Sequence, residues 1–298
     1  MSKHGETERS IIRLFKEAKE FIFEEEEYEI INIGKPRPSK GECKTDIYIL
    51  TTNLSTGLNK EFKISIKQGD ADFLGNKLSI ERATEIFGSQ ASHLIKESIK
   101  TVENDFLEDY LVYFKRAKRT EAKCLKIGWK FEFINKPGGK RVAKLSLSDS
   151  QKIDIYAGTN LSNEKKNSKV NGEIIENSGI ANYILTVDNT DEDLEYYLDR
   201  ILPIEEFAVK QDIYFACKAI NFRVEKDKWD SNRPLSVFIN WSLVNNVLKG
   251  EFVMDRPLEF KANEIGENIR DILIQLKINS TNFDDLKNYL DDNVNYID

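Results

Sequence analysis

The sequence has few of the residues that mark unusual protein classes. Its 298 residues include only 15 glycines, 6 prolines and 3 cysteines, which excludes a collagen-like chain and a low-complexity disordered one. The cysteines form no Cys-x-x-Cys pair, so we expect reduced, mostly buried thiols and no zinc finger. The two histidines, His4 and His93, give little basis for a histidine zinc site or a histidine-based catalytic triad.

Long apolar segments are also missing. No stretch approaches the roughly 18 uncharged apolar residues of a membrane span, and residues 1–13 lack the apolar segment of a secretory signal. We therefore expect a soluble, cytoplasmic protein with no membrane partner. The Gly138-Gly139 pair does not have the spacing of a phosphate-binding P-loop, so no nucleotide cofactor is expected.

Charge is unevenly distributed along the chain. The net charge is -7, but residues 115–144 carry eleven Lys or Arg against Glu121 and Glu132, a local charge of +9 that leaves -16 for the remainder. This basic segment is a candidate phosphate-binding surface, because lysines and arginines near a nucleic-acid backbone release counterions. The alternative interpretation is that this segment is a solvated helix and hairpin, which would have the same composition.

Hydrophobic periodicity predicts helices and strands in both halves. Ile11, Phe15, Ala18 and Ile22 recur at helical spacing, which predicts a helix over about residues 5–26. Strands are predicted at 28–33, 46–51 and 61–68, of which the last two form a hairpin. Two helices that meet near Gly88 are predicted within 79–114. Further strands are predicted at 152–156, 181–187, 212–224, 235–240, 250–254 and 258–261, and further helices at 191–201, 264–276 and 282–290.

These elements indicate an α/β (α+β) protein with a division in the middle. Residues 160–172, rich in Asn, Ser and Lys, are the best candidate for a domain boundary or mobile loop. We expect one domain over residues 1–160 that contains the basic segment, and a β-rich region with C-terminal helices over 161–298.

The most informative pattern combines Asp46, at the head of a predicted strand, with Ser65-Ile-Lys67-Gln68 at the end of the next strand. Period-2 alternation places Phe62, Ile64 and Ile66 on one face of the second strand and Ser65 and Lys67 on the other. A carboxylate beside a lysine suits Mg²⁺-dependent phosphodiester hydrolysis, because the carboxylate binds a hard cation and the ammonium positions water and offsets phosphate charge.

This pattern resembles the PD-(D/E)XK nuclease superfamily, in particular the type II restriction endonucleases, over roughly the first 110 residues. The resemblance implies a central mixed sheet flanked by helices, with a core made of a helix, a hairpin and a further helix–strand unit. It also implies a Mg²⁺-dependent, sequence-specific endonuclease that cuts double-stranded DNA, with Mn²⁺ as a possible substitute and a homodimer as a possible assembly. Asp46, Ser65 and Lys67 would be the catalytic residues, and Asp46 and Glu8 the metal ligands.

The chain departs from the family pattern at Ser65, where an acidic residue is usual. Glu61-x-Lys63 satisfies the motif on the same strand face, but in a simple hairpin Glu61 lies at the far end from Asp46. Glu8 follows the helical stripe that faces the sheet, so it could supply the missing ligand; alternatively it stabilises the helix dipole. Glu42, in a loop with Gly and Pro, is a second candidate.

DNA contacts are expected near the motif and in the basic segment. The candidate residues are Lys44, Gln68, Lys115, Arg116, Lys118, Arg119, Lys136, Lys140 and Arg141. Base reading, if present, is expected within 115–169 and 221–233, where Asn and Arg side chains are available. Two other functions stay open: a catalytically decayed module that binds DNA or a partner, and a protein-interaction or DNA-mimicking role built on the acidic remainder.

Overall fold

The structure is a computed structural model that describes residues 3–68, 73–75, 78–189 and 192–298. The chain forms two units, each made of two separate segments: Met1–Leu74 with Ser146–Gln211, and Gly75–Leu145 with Asp212–Asp298. Each unit combines helices with a β-sheet, which confirms an α+β protein. No helix in the described ranges is both long and apolar enough to cross a membrane.

The elements are numbered in chain order. The helices are α1 (Lys3–Ala18), α2 (Ile80–Phe87), α3 (Ala91–Lys100), α4 (Glu103–Leu107), α5 (Asp149–Ala157), α6 (Asn163–Lys166), α7 (Leu194–Leu198), α8 (Ile204–Val209) and α9 (Ala262–Gln275), with 3₁₀ turns at Gly88–Gln90, Val224–Lys226 and Phe283–Tyr289. The strands are β1 (Glu20–Phe23), β2 (Glu26–Gly34), β3 (Ile47–Asn53), β4 (Asn59–Gln68), β5 (Phe73–Gly75), β6 (Val112–Tyr113), β7 (Cys124–Ile134), β8 (Val142–Lys144), β9 (Ser168–Val170), β10 (Glu173–Ile175), β11 (Tyr183–Val187), β12 (Ile201–Pro203), β13 (Tyr214–Arg223), β14 (Lys228–Trp229), β15 (Val237–Val244), β16 (Val247–Val253) and β17 (Tyr296–Ile297).

The first unit is built on a mixed sheet with the strand order β1-β2-β3-β4-β11-β12. Strands β1 to β4 pair with their neighbours in antiparallel fashion, which confirms the predicted hairpin of β3 and β4. Strand β11 then lies parallel to β4, with Ile184 opposite Ser65 and Thr186 opposite Lys67. The long connection from β4 to β11 includes α5, as a parallel pair requires a crossover.

One face of this sheet is covered by α1. Ile11 and Phe15 of the helix are fully buried against an aromatic and aliphatic cluster that includes Phe62 and Ile64 of β4. The burial of side chains therefore alternates along β4 as the sequence predicts. Phe62, Ile64 and Ile66 enter this core, and Lys63 and Lys67 stay half-buried on the other face.

The first helix is shorter than predicted. It ends at Ala18, because Lys19 adopts a positive φ of 63° and the chain continues as β1. In β1 the burial alternates, so Phe21 and Phe23 enter the core and Ile22 is 65% exposed. Ile22 had the spacing of a helical core residue, but it lies on the outer face of a strand.

The strand predicted at 152–156 is wrong, because this segment is helix α5. Its apolar and polar residues alternate, but the capping signals decide the structure. Ser148 and Gln151 form a capping box at the start of the helix, and Gly158 ends it in a left-handed conformation with φ 77°. These end signals favour a helix more strongly than a five-residue alternation favours a strand.

The expected boundary near residue 160 does not separate the two units. Residues 160–172 lie inside the first unit and contain α6 and β9, and Lys169 exchanges two backbone hydrogen bonds with Arg37 at 2.9 and 3.0 Å. The chain instead leaves the first unit near Leu74 and returns to it near Ser146. The basic segment 115–144 consequently belongs to the second unit.

The second unit has a sheet with the order β14-β13-β7-β15-β16, to which β6, β8 and β17 add short pairings. Strand β7 lies inside this sheet, and nearly all of its residues are buried on both faces. The predicted junction near Gly88 is confirmed as a 3₁₀ turn between α2 and α3.

The strand predicted at 258–261 is absent, since this described segment forms turns and a single bridge from Lys261 to Pro234. Residue 191, where one predicted helix begins, lies outside the described residues.

Candidate active site

Asp46 lies at the position directly before β3. Its backbone N–H donates to the carbonyl oxygen of Ile64 at 2.9 Å, and its Oδ2 accepts a hydrogen bond from the backbone N–H of Ile66 at 2.7 Å. These two bonds bracket Ser65, so Asp46 lies directly beside Ser65. The structure therefore brings the predicted motif residues to one end of the β3–β4 hairpin.

Lys67 follows two residues after Ser65 on the same strand and interacts electrostatically with Asp46. Burial lowers the pKa of Lys67, and the nearby Asp46 carboxylate opposes this shift. Burial also raises the pKa of Asp46, while Lys67 and the hydrogen bond from Ile66 act to lower it. Each group thus favours the charged form of the other in a position that water solvates poorly.

Glu8 is the acidic residue of α1 that reaches this site. It is half-buried whereas Glu6 is exposed, as the helical spacing predicts. Its carboxylate pairs with the ammonium of Lys35, in the segment after β2. Glu8 raises the pKa of Asp46 and Lys35 lowers it, so both charges lie within electrostatic range of Asp46. No sequence motif pointed to Lys35, which reaches the site only through the tertiary fold.

Two hydroxyl groups adjoin Asp46. Thr45 precedes it in the chain and is 2% exposed, and Ser65 lies beside it on β4 and is 1% exposed. Neither hydroxyl oxygen has a hydrogen-bond partner among the described residues. A buried hydroxyl without a partner is uncommon, because its desolvation is not compensated.

Two residues predicted to contact DNA near the motif make contacts within the protein. The Nζ atom of Lys44 donates to the carbonyl oxygen of Leu74 at 3.0 Å. The Nε2 atom of Gln68 lies 3.5 Å from the hydroxyl oxygen of Thr7 in α1. Gln68 thus connects the end of β4 to the helix that carries Glu8.

The alternative motif around Glu61 lies at the other end of the hairpin. Glu61 is opposite Leu50, four positions along β3 from Asp46, which corresponds to about 13 Å. Its carboxylate accepts hydrogen bonds from the hydroxyl of Tyr48 at 2.6 Å and from the ammonium of Lys63 at 3.3 Å. Burial, together with the hydrogen bond to Glu61, raises the pKa of Tyr48. Glu61 therefore has structural partners and is remote from Asp46.

The residues at Asp46 fit a hydrated Mg²⁺ ion. In the part of the chain that the structure describes, no group of three or more His, Cys, Asp or Glu side chains is arranged to enclose a metal. Mg²⁺ does not need such an enclosure, because it commonly keeps several waters and binds through one or two carboxylates. Asp46 and Glu8 supply two carboxylates, and the unpartnered oxygens of Thr45 and Ser65 supply further polar groups.

In the second unit, the basic segment divides into paired and unpaired residues. The members paired with acids include Lys126 and Arg141, which contact Asp109 at 3.5 and 3.2 Å, and Lys140 and Lys144, which contact Glu108 at 3.7 Å and Asp212 at 2.7 Å. Arg141, predicted to contact DNA, also donates to the carbonyl oxygen of Asp105 at 2.7 Å. Lys136 is exposed between β7 and β8.

Four further members of the basic segment form a cluster that we call the basic turn: Lys115, Arg116, Lys118 and Arg119. All four are exposed and none forms an ion pair with a described acidic residue. Ala117 and Thr120 exchange backbone hydrogen bonds at 3.1 and 2.9 Å, which places Lys118 and Arg119 at the tip. The nearby Glu121 is paired with Arg223 and Lys226, so its charge is compensated by residues outside the basic turn.

Two side chains of the segment 221–233, where base reading is expected, form hydrogen bonds within the second unit. The side chain of Asn221 and the guanidinium of Arg223 both bond to Asp230, at 3.1 and 2.5 Å. These side chains consequently stabilise the end of β13.

Comparison of the chain with protein-family models, with curated proteins and with solved structures finds no match. What the protein does must therefore be inferred from its own residues at the end of the β3–β4 hairpin and on the basic turn.

Proposed function

We propose that this protein is a Mg²⁺-dependent endonuclease that hydrolyses double-stranded DNA, similar to the type II restriction enzymes of the PD-(D/E)XK superfamily. The observation that carries the proposal is the position of Asp46 beside Ser65, in electrostatic contact with Lys67. The order of elements in the first unit agrees with it: α1, an antiparallel hairpin, and then α5 followed by β11 parallel to β4.

The chemistry follows from the charges of the side chains. Asp46 and Glu8 offer oxygen ligands to a divalent ion, which when bound would polarise water and offset the phosphate charge. Because burial lowers the pKa of Lys67, a larger fraction of its amine is neutral near physiological pH than for an exposed lysine. That amine can accept a proton from the attacking water, and in its charged form it stabilises the phosphate.

Affinity for DNA would come mainly from the basic turn. Its four side chains are exposed and unpaired, whereas Lys140 and Arg141 are partly neutralised by Asp105, Glu108 and Asp109. Contacts of this kind are made to phosphates, so they position DNA without reading its sequence.

A second candidate function is a module that binds DNA without cutting it. It is favoured by the neutral Ser65 at the position where the family has an acid, and by the pairing of Glu8 with Lys35. Under this hypothesis the Asp46–Lys67 pair is a structural remnant, and the basic turn alone carries the function.

The test is cleavage of unmethylated phage DNA and supercoiled plasmid with Mg²⁺, with Mn²⁺ and with a chelator. Lys67→Ala is compared with Lys63→Ala, a matched control on the same strand and face whose ammonium pairs with Glu61. We expect discrete metal-dependent fragments from the wild type and from Lys63→Ala, and none from Lys67→Ala. If neither wild type nor control cuts modified or unmodified DNA, the endonuclease proposal fails; metal-independent DNA binding would then favour the second function.

A further inference from the structure

The hydroxyls of Thr45 and Ser65 differ from other buried hydroxyls of the first unit. Thr51 is 0% exposed, and its hydroxyl donates to the carbonyl oxygen of Lys60 at 2.9 Å. Ser178 is also 0% exposed, and its hydroxyl donates to the carbonyl oxygen of Ser168 at 3.0 Å. Thr45 and Ser65 are equally buried, yet neither hydroxyl has a partner among the residues that the structure describes.

Both hydroxyls belong to residues that directly neighbour Asp46. Thr45 is adjacent to Asp46 in the chain, and Ser65 lies between Ile64 and Ile66, the two residues to which Asp46 is hydrogen-bonded. The two residues that flank Asp46, one along the chain and one across the hairpin, thus each carry an uncompensated buried hydroxyl. An alanine or valine at either position would avoid the desolvation cost.

We propose that the hydroxyls of Thr45 and Ser65 bind the water shell of a divalent cation held by Asp46, and so replace the third acidic ligand. A hydroxyl oxygen accepts hydrogen bonds, and metal-bound water is a strong donor. Outer contacts of this kind orient the ligands of a bound metal, and their loss typically weakens metal binding about 10–100-fold. The identity of the cation rests on the proposed function; the role of the hydroxyls is tested without cleavage.

The experiment uses the full chain with Mn²⁺ as the probe. Mn²⁺ affinity is measured by electron paramagnetic resonance, and thermal unfolding is measured in the presence of a chelator. The variants are Thr45→Val and Ser65→Ala, with Thr51→Val and Ser178→Ala as controls that remove equally buried but bonded hydroxyls. We expect Thr45→Val and Ser65→Ala each to weaken Mn²⁺ binding by at least about 10-fold, with an unfolding temperature equal to or above that of the wild type. The controls are expected to show the reverse, with wild-type affinity and a lower unfolding temperature.

Three outcomes overturn the inference: a wild type that does not bind Mn²⁺, unchanged affinity in Thr45→Val or Ser65→Ala, and loss of stability in those variants as large as in the controls. The last outcome would show that the hydroxyls are bonded within the protein. Cleavage is assayed separately, so a protein that binds Mn²⁺ through these hydroxyls but cuts no DNA would contradict the proposed endonuclease and leave the metal site standing.

Discussion

The carboxylate of Asp46 accepts a hydrogen bond from the backbone N–H of Ile66 at 2.7 Å. A side chain at the head of β3 thereby satisfies a backbone donor of β4. The same bond holds the carboxylate beside Ser65 and within electrostatic range of Lys67. The placement of the charged group and the pairing of the two strands consequently depend on each other.

This bond predicts a difference between two substitutions of Asp46. Asp46→Ala leaves the N–H of Ile66 without an acceptor, which costs about 1–3 kcal/mol. Asp46→Asn keeps an oxygen acceptor and removes the buried charge. We expect the Asn variant to be more stable than the Ala variant by about 1–3 kcal/mol in urea unfolding at neutral pH. Equal stabilities would contradict a stabilising bond to Ile66.

The charges around Asp46 predict opposite shifts of its pKa. Glu8 raises the pKa of Asp46 and Lys35 lowers it, so Glu8→Gln should lower that pKa and Lys35→Met should raise it. The titration of the Asp46 carboxyl carbon, followed by NMR, measures both shifts. Glu6→Gln is the control, because Glu6 is exposed on the same helix and its removal should leave the titration unchanged. Shifts of the same sign for Glu8→Gln and Lys35→Met would exclude this arrangement.

The basic turn predicts a specific change in the salt dependence of DNA binding. Each phosphate contact contributes about -0.9 to the slope of log K against log salt concentration. The double substitution Lys118→Ala with Arg119→Ala should therefore make the slope about 1.8 units less steep. Binding is measured with chelator present, so that no DNA is cut.

The matched control for the basic turn is Lys140→Ala with Lys144→Ala. These lysines belong to the same basic segment, but each has an acidic partner. We expect this control to leave the salt slope nearly unchanged. If the control changes the salt slope more than the double substitution of Lys118 and Arg119 does, the DNA-binding surface lies near β8 instead.

A buried charge cluster in the second unit predicts a large effect on stability. Asp109 is the acidic partner of Lys126, which is 1% exposed, and of Arg141. Asp109→Ala leaves buried positive charge uncompensated, so we expect a loss of about 3–5 kcal/mol of unfolding free energy. Glu108→Ala, which removes an exposed partner of Lys140, should change stability by less than about 1 kcal/mol.

The pH dependence of Asp109→Ala has a definite sign. Burial lowers the pKa of Lys126 in the folded protein, so between the folded and unfolded pKa values the unfolded chain binds more protons. The contribution of Lys126 to stability therefore rises with pH. Unfolding curves of Asp109→Ala should show a smaller deficit at alkaline pH than at neutral pH; a deficit that grows with pH would refute this assignment.

Much of the first unit could be predicted from its sequence, because its signals are local. The alternation in β4 predicted which residues enter the core, and the β3–β4 hairpin brought Asp46 beside Ser65 as expected. Helical spacing also predicted that Glu8, and not Glu6, faces the sheet. These features depend on residues within one element or on two consecutive strands.

Local patterns failed where competing signals or distant segments decided the structure. Alternation over five residues suggested a strand at 152–156, but the capping box of Ser148 and Gln151 and the left-handed Gly158 make it a helix. A polar composition suggested a boundary at 160–172, but β11, which follows that segment, pairs with β4 and keeps it inside the first unit.

The sequence by itself determined the β3–β4 hairpin, the core-facing residues of β4 and the Asp46, Ser65 and Lys67 motif, because periodicity and short spacings specify them. Only the tertiary structure decided which charges are free. Asp109 pairs with both Lys126 and Arg141, whereas the basic turn has no acidic partner in the described chain, and Lys35 reaches Asp46 and Glu8 from a separate segment. The physical reason is that electrostatic interactions act through space, so residues far apart in sequence determine whether a charge is compensated.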